Sequence, residues 1–151
     1  MDERAKKVLD SLASQCSKRE YCVSDIRAKA LKKLEGDAGA AAEVVEKLVS
    51  EGFVSDLRYA CAFAREKAAL SGWGPVKIRY ALSAKGISRE NADAALSEVD
   101  DEKAGEKLRR LLEVKRKSLE GDPQMKLKLL RFALSRGYDY DSVRQSVDDL
   151  T

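Results

Sequence analysis

The stretch LSGWGPVKIRYALSAKG, Leu70 to Gly86, sets three helix-breaking residues around a tryptophan and then restarts a basic helical pattern at once. Gly72, Gly74 and Pro75 have a local reading. Gly72 ends one helix, Gly74 sits near the N-cap of the next, and Pro75 takes its first turn, where an absent N–H costs nothing. Trp73, the only tryptophan of the chain, is not explained by the turn. It either wedges the turn into the core, the commoner fate of a large aromatic, or stands at a binding surface.

Working outward, the glycine that closes this stretch belongs to a series. Gly36, Gly86 and Gly137 lie 50 and 51 residues apart, and each follows a basic amphipathic segment: SDIRAKALKKLEG, PVKIRYALSAKG and KLKLLRFALSRG. A glycine just past a helix end takes the left-handed conformation that a Cβ penalises. Ile87 and Tyr138 then supply the apolar residue that a Schellman motif favours. Apolar residues recur at helical spacing before and after each glycine: Val8, Leu9, Leu12, Cys16; Val44, Val45, Leu48, Val49; Ala92, Ala95, Leu96, Val99; Leu108, Leu111, Leu112, Leu119; Val143, Val147, Leu150. No segment alternates as a strand does. The pattern predicts an all-α protein of three tandem three-helix repeats in an elongated arrangement, with units at 1–54, 55–99 and 100–151. Before their second helices the other two units carry Ser24, read as an N-cap, and Asp122-Pro123, read as doing the job of Gly74-Pro75.

Composition fits this reading. Of 151 residues 36% are charged and 6% aromatic, with two prolines, as exposed helices prefer. The net charge of +3 is small, but Lys103 to Arg136 holds eleven Lys/Arg against four acids and is flanked by acidic stretches. A solvated face is the ordinary reading of such a run, and a patch for a polyanion or an acidic protein is the sharper one. Cys16, Cys22 and Cys61 form no CxxC pair, the opening MDERAKKVLD is unlike a signal peptide, and no apolar run spans a bilayer. The expectation is a reduced, cytoplasmic protein, monomeric and away from membranes.

The missing chemistry is informative. The chain has no histidine, which removes the usual general base, the usual zinc ligand and the Ser–His and Cys–His nucleophile systems. It has neither a Walker A sequence nor GxGxxG. The pairs Asp100/Asp101 and Asp148/Asp149 read as solvated helix-end charges. No enzyme, cofactor or metal is expected. A binding protein remains, with a basic face drawn from Arg65, Lys67, Lys77, Arg79 and Lys85 of the middle unit and Lys128, Arg131 and Arg136 of the third. Lys77 and Lys128 lie nine residues before their glycines, and so does Arg27.

The stretch GFVSDLRYACAFAREKAALSGWGPVKIRYALSAKGIS resembles the central repeat of the RecX family, bacterial regulators of the RecA recombinase. Asp56, Arg58, Tyr59, Ala60, Trp73, Gly74, Pro75, Lys77, Ile78, Leu82, Lys85, Gly86 and Ile87 carry the match. KLLRFALSRGYDYDSV resembles the third repeat through Arg131, Phe132, Arg136, Gly137 and Tyr138, and CSKREYCVSDIRAK is similar to the first repeat of the Bacteroidetes branch. Ser55 stands where the family often has Asp, exchanging one helix cap for another. The resemblance implies a protein lying in the groove of the RecA–single-stranded DNA filament and suppressing RecA ATPase, strand exchange and co-protease activity in DNA repair. Its partner-binding candidates are Arg58, Arg65, Lys67, Trp73, Lys77, Arg79, Lys85, Lys128, Arg131 and Arg136. Two other readings stay open: a direct binder of single-stranded or duplex DNA, and a general helical adaptor.

Overall fold

The computed structural model describes residues 1–151. Nine helices follow one another: α1 Glu3–Cys16, α2 Val23–Lys33, α3 Ala38–Ser50, α4 Asp56–Ala69, α5 Pro75–Ala84, α6 Arg89–Ser97, α7 Asp101–Ser118, α8 Met125–Ser135 and α9 Tyr140–Leu150. They pack in threes. Leu12, Ile26, Val44 and Leu48 centre the first core; Ala60, Ala64, Ile78 and Leu82 the second; Leu112, Leu129, Val143 and Val147 the third. Burying each Leu, Ile or Val contributes about 1.5–3 kcal/mol. The molecule exposes 9213 Å², against about 7,600 Å² for a compact monomer of this mass. The excess reflects its elongated shape.

Two residues cross between triplets. Cys22, at the start of α2, is fully buried in the second core, and Ala104 of α7 packs into that same core. The middle triplet therefore holds a side chain from each neighbour.

The helix caps show how the triplets join. The first and third helices of every repeat carry a side-chain cap: Asp2, Asp37, Ser55, Ser88, Asp100 and Asp139 each accept a backbone N–H of the first turn. The second helices carry none, and their N-cap residues are Cys22, Gly74 and Gln124. A helix start leaves N–H groups that need acceptors. For α5 they come from the next repeat. Gly74 N donates to Arg136 O at 2.7 Å and Val76 N to Gly137 O at 3.0 Å. Those carbonyls are themselves orphans of the α8 C-terminus, so the two helix ends satisfy each other. For α2 the acceptor is the Asp56 carboxylate at 2.8 Å from Val23 N, while Ser24 Oγ donates to Lys85 O at 2.7 Å. The second helices thus meet end to end in the order α8, α5, α2.

The local expectations are corrected at three points. Ser24 is not a cap; it lies inside α2 and reaches the neighbouring repeat because Cys22 ends the extended segment. Asp122-Pro123 does not open α8 as Gly74-Pro75 opens α5. The Asp122 carboxylate accepts from Gln124 N at 2.8 Å, and this turn delays the helix to Met125. In the first repeat the left-handed residue after the helix is Glu35, φ 53°, with Gly36 at 87° following it, whereas Gly86 and Gly137 take that place directly. The first repeat is therefore shifted by one residue. Arg27 follows buried Ile26, whereas Lys77 and Lys128 precede buried Ile78 and Leu129; Asp25 holds their place in α2.

Candidate functional site

The charges of the chain are sorted by helix. The second helices with their C-cap residues, 23–34, 75–85 and 125–136, hold eleven Lys/Arg and one acid, Asp25. The remainder holds eighteen Lys/Arg and twenty-five acids. A nearly neutral chain thus carries a strongly basic line of helices, joined end to end, on a scaffold of opposite sign. Clustered charge of one sign raises the local potential and steers partners of the other.

Several candidate cations already have partners. Arg58 binds the Glu20 carboxylate at 3.1 Å and reaches Phe53 O, tying α4 to the α1–α2 turn. Lys85 meets Asp25 at 3.1 Å across the same joint, and that carboxylate holds the Lys85 ammonium above the usual lysine range. Arg79 pairs with Asp93 at 2.5 Å and Lys128 with Asp122 at 2.5 Å. Lys128 in turn holds the Asp122 carboxyl below its ordinary range, with the Gln124 N–H adding to the effect. Arg65, Lys67, Lys77, Arg131 and Arg136 have no acid within ion-pair distance, and Arg65 and Arg131 are exposed.

Trp73 is neither fully buried nor fully exposed. It is half-buried, edge-on to Phe63 with ring centroids 6.1 Å apart, and so anchors the turn on α4. Its other contacts are cationic: Lys67 Nζ lies 4.9 Å and Lys77 Nζ 4.4 Å from the ring centroid. Across the Gly74–Arg136 hydrogen bond, Phe132 is flanked in the same way by Arg136 at 5.4 Å and Lys115 at 5.8 Å. The two aromatic–cation groups thus adjoin, one on each side of the joint. Sequence reading named Phe132 only in the family resemblance and left both it and Lys115 out of the binding candidates, since only the packing of α7 on α8 unites them. It also missed Lys29, Lys32 and Lys33 of α2, whose cluster was legible as a charge run ending that helix.

No group of acids and cysteines is placed to hold a metal ion. Burial raises the thiol pKa of Cys16 and of Cys61, each reinforced by a nearby glutamate, Glu20 or Glu98. That is the opposite of an activated nucleophile. No helix is long and apolar enough to cross a membrane.

An elongated array of three-helix repeats whose second helices are basic and nearly free of acids defines a helical-repeat protein with one basic line. The family described as "RecX, second three-helix domain" matches residues 55–96. The regulatory protein RecX of Prosthecochloris aestuarii is 31% identical over 150 residues, covering 99% of this chain and 97% of that protein. The chain belongs to the RecX family of regulatory proteins. The RecX proteins of Bacillus mycoides and Clostridium botulinum strain Eklund 17B are each 32% identical, over 80% and 75% of this chain. The aligned regions cover 45% and 54% of those two proteins, so the chain spans about half their length. Two solved structures share the fold. A crystal structure of a regulatory protein RecX superposes with a TM-score of 0.84 at 23% identity, covering 97% of this chain and 72% of that one. RecX from Lactobacillus salivarius gives 0.82 at 23% identity, covering 99% and 98%.

Proposed function

We propose that this protein binds the RecA filament on single-stranded DNA and inhibits RecA ATPase, strand exchange and co-protease activity. The observation that carries the reading is the basic line of second helices on a chain of the RecX family. Its three repeats, at 1–54, 55–99 and 100–151, each contribute one helix to that line. A filament offers the same protomer surface again and again, and a tandem array suits a partner that repeats. Bridging neighbouring protomers would oppose the relative motion that turnover needs. Lys77, Arg131 and Arg136 supply unpaired charge, and Trp73 with Lys67 marks the joint between the second and third repeats. Arg58, Arg79, Lys85 and Lys128 keep their internal partners and act first as positioning groups.

The test is RecA ATPase on single-stranded DNA, titrated with this protein. A decline to a low plateau is expected for the parent. The variant Lys77→Glu/Arg131→Glu alters two cations without ion-pair partners, and should inhibit markedly less at unchanged helicity. Reversal replaces attraction by repulsion, which truncation does not. Unchanged ATPase with the parent at saturating protein sinks the reading. Salt-dependent binding of the parent to naked single-stranded DNA, lost in the same variant and without effect on RecA, favours the nucleic-acid binder instead.

A further inference from the structure

The basic line of helices also leaves large apolar side chains in water. On α5, Tyr80 is 78% and Val76 58% exposed; on α8, Leu127 and Leu134 are each 43% exposed. Within each helix these residues share one face. Val76 and Tyr80 are four apart, Leu127 and Leu134 seven apart with Arg131 between them, and both spacings return to one side of a helix. The faces correspond between repeats. Val76 and Leu127 each lie two residues before the buried core residue, Ile78 or Leu129, and Tyr80 and Arg131 each lie two residues after it. The first repeat keeps only part of the pattern: Ser24 and Ala28 hold the places of Val76 and Tyr80 around Ile26, while Leu31, 37% exposed, holds the place of Leu134.

An exposed tyrosine is notable in a chain with nine aromatic residues. Nothing within the fold needs Tyr80, since its ring makes neither an aromatic nor a cation contact. Tyr and Arg on an outward face, with aliphatic neighbours, are the residue types that dominate protein–protein binding energy. Base stacking asks for aromatic rings, and Val76, Leu127 and Leu134 offer none. α5 and α8 contain no acid at all, so the surface that fits them is acidic at its rim.

We propose that the outer faces of α5 and α8 are two neighbouring protein-docking sites, anchored by Val76 and Tyr80 in one and by Leu127 and Leu134 in the other. Each takes an acidic protein surface with an apolar pocket. The partner presents that surface in at least two copies, one for each of these two repeats; α2, with Ser24 and Ala28 in place of Val76 and Tyr80, keeps only Leu31 of the apolar positions. This rests on the reading of the RecA filament as partner, and assigns the residues that touch the protein rather than the DNA.

The test compares the parent with Tyr80→Ala/Leu127→Ala, with Tyr80→Glu, and with Val114→Ala as a control at an exposed apolar residue on α7, its exposure between those of Leu127 and Tyr80. Binding is measured to RecA filaments assembled on single-stranded DNA with a non-hydrolysable ATP analogue, and separately to the same DNA without RecA. The double variant should bind filaments about tenfold or more weakly, the usual consequence of truncating an anchor. Tyr80→Glu should do the same through repulsion by the acidic rim. Val114→Ala should bind as the parent does. All should keep their helicity and melting temperature, since no buried side chain changes. Filament binding unaffected by both Tyr80 variants overturns the proposal while leaving RecA as the partner. A matching loss of binding to naked DNA overturns it in favour of a nucleic-acid face. A parent that fails to bind filaments removes the reading of RecA as partner and this proposal with it.

Discussion

The two joints of the molecule place equivalent parts against each other by different means. In both, the start of a second helix meets the end of the next second helix. In both, the carbonyl before the left-handed glycine accepts the bond: Arg136 O from Gly74 N, and Lys85 O from Ser24 Oγ. Between repeats two and three the contact is backbone on backbone. A Cβ on Gly74 would lie 2.5 Å from Gly137 O, and one on Gly137 would lie 2.6 Å from Lys77 N. Leu111 of α7 closes over Gly72, and α7 packs along α4. Between repeats one and two the contact is side chain on backbone and charge on charge: Ser24, Asp56, Lys85–Asp25 and Arg58–Glu20. There Gly86 has room, with Ser24 Cβ 3.9 Å from where its own Cβ would stand. Close approach requires glycine on both sides and gives a stiff joint. Polar side chains span a wider gap, and their ion pairs are open to solvent and salt.

The largest effects should therefore come from the close joint. Gly137→Ala adds a left-handed penalty of about 1–2 kcal/mol to overpacking of about 1–3 kcal/mol, so denaturant unfolding should show a loss of several kcal/mol centred on the third repeat. Gly74→Ala, where φ is an ordinary −87°, should lose only the overpacking part. Because the two glycines touch, the double variant should cost less than the sum of the single ones. Additive effects would break the picture of one shared contact.

Gly86→Ala has the same left-handed backbone, φ 77°, but open space around it. It should cost about 1–2 kcal/mol, the conformational term alone. A cost equal to that of Gly137→Ala would show that the two joints are equally tight. Asp56→Ala removes the acceptor of Val23 N and should cost about 1 kcal/mol, with faster amide exchange at the start of α2 as the local readout.

Smaller effects sharpen the contrast. The ion pairs of the first joint are each worth about 0.2–1 kcal/mol, and raising salt should loosen the first repeat while sparing the second joint. Acid acts on the third repeat as well. Glu113 is held below its ordinary range by Arg116, Asp122 by Lys128 and Asp139 by Ser142, and all three lie in the third repeat. Depressed carboxyls contribute stability that is fully present above their unfolded values near 4 and lost as pH falls below them. Circular dichroism between pH 5 and pH 2 should show helicity falling as these carboxyls are protonated, with amide exchange in the third repeat as the local readout. Lys85, raised by Asp25, contributes stability that is present at neutral pH and lost only as pH climbs past the usual lysine range. An alkaline titration should therefore leave the first joint closed until then.

Much of this molecule was legible because its rules are local. Nine helices, their grouping in threes, the stop at Gly72, the start at Pro75 and the left-handed Gly86 and Gly137 follow from residues within one or two turns of each other, where dihedral preferences and capping act. The third repeat's partial match and the first repeat's shift at Glu35 were the limits of that reading, since a one-residue offset is visible only when the buried face is seen. Tertiary structure alone decided the rest. Gly74 looks like a helix start without a cap, and its cap is the α8 C-terminus sixty residues away in the chain. Arg58, Arg79, Lys85 and Lys128 read as free cations, and Glu20, Asp93, Asp25 and Asp122 hold them. Tyr80 looks like any helical tyrosine, and only the packing of α5 on its core shows that it faces water. The physical reason is one of range. A sequence states which backbone groups a helix end leaves unsatisfied and which side chains are charged, but the acceptor or counter-ion they find depends on how one repeat is set against the next.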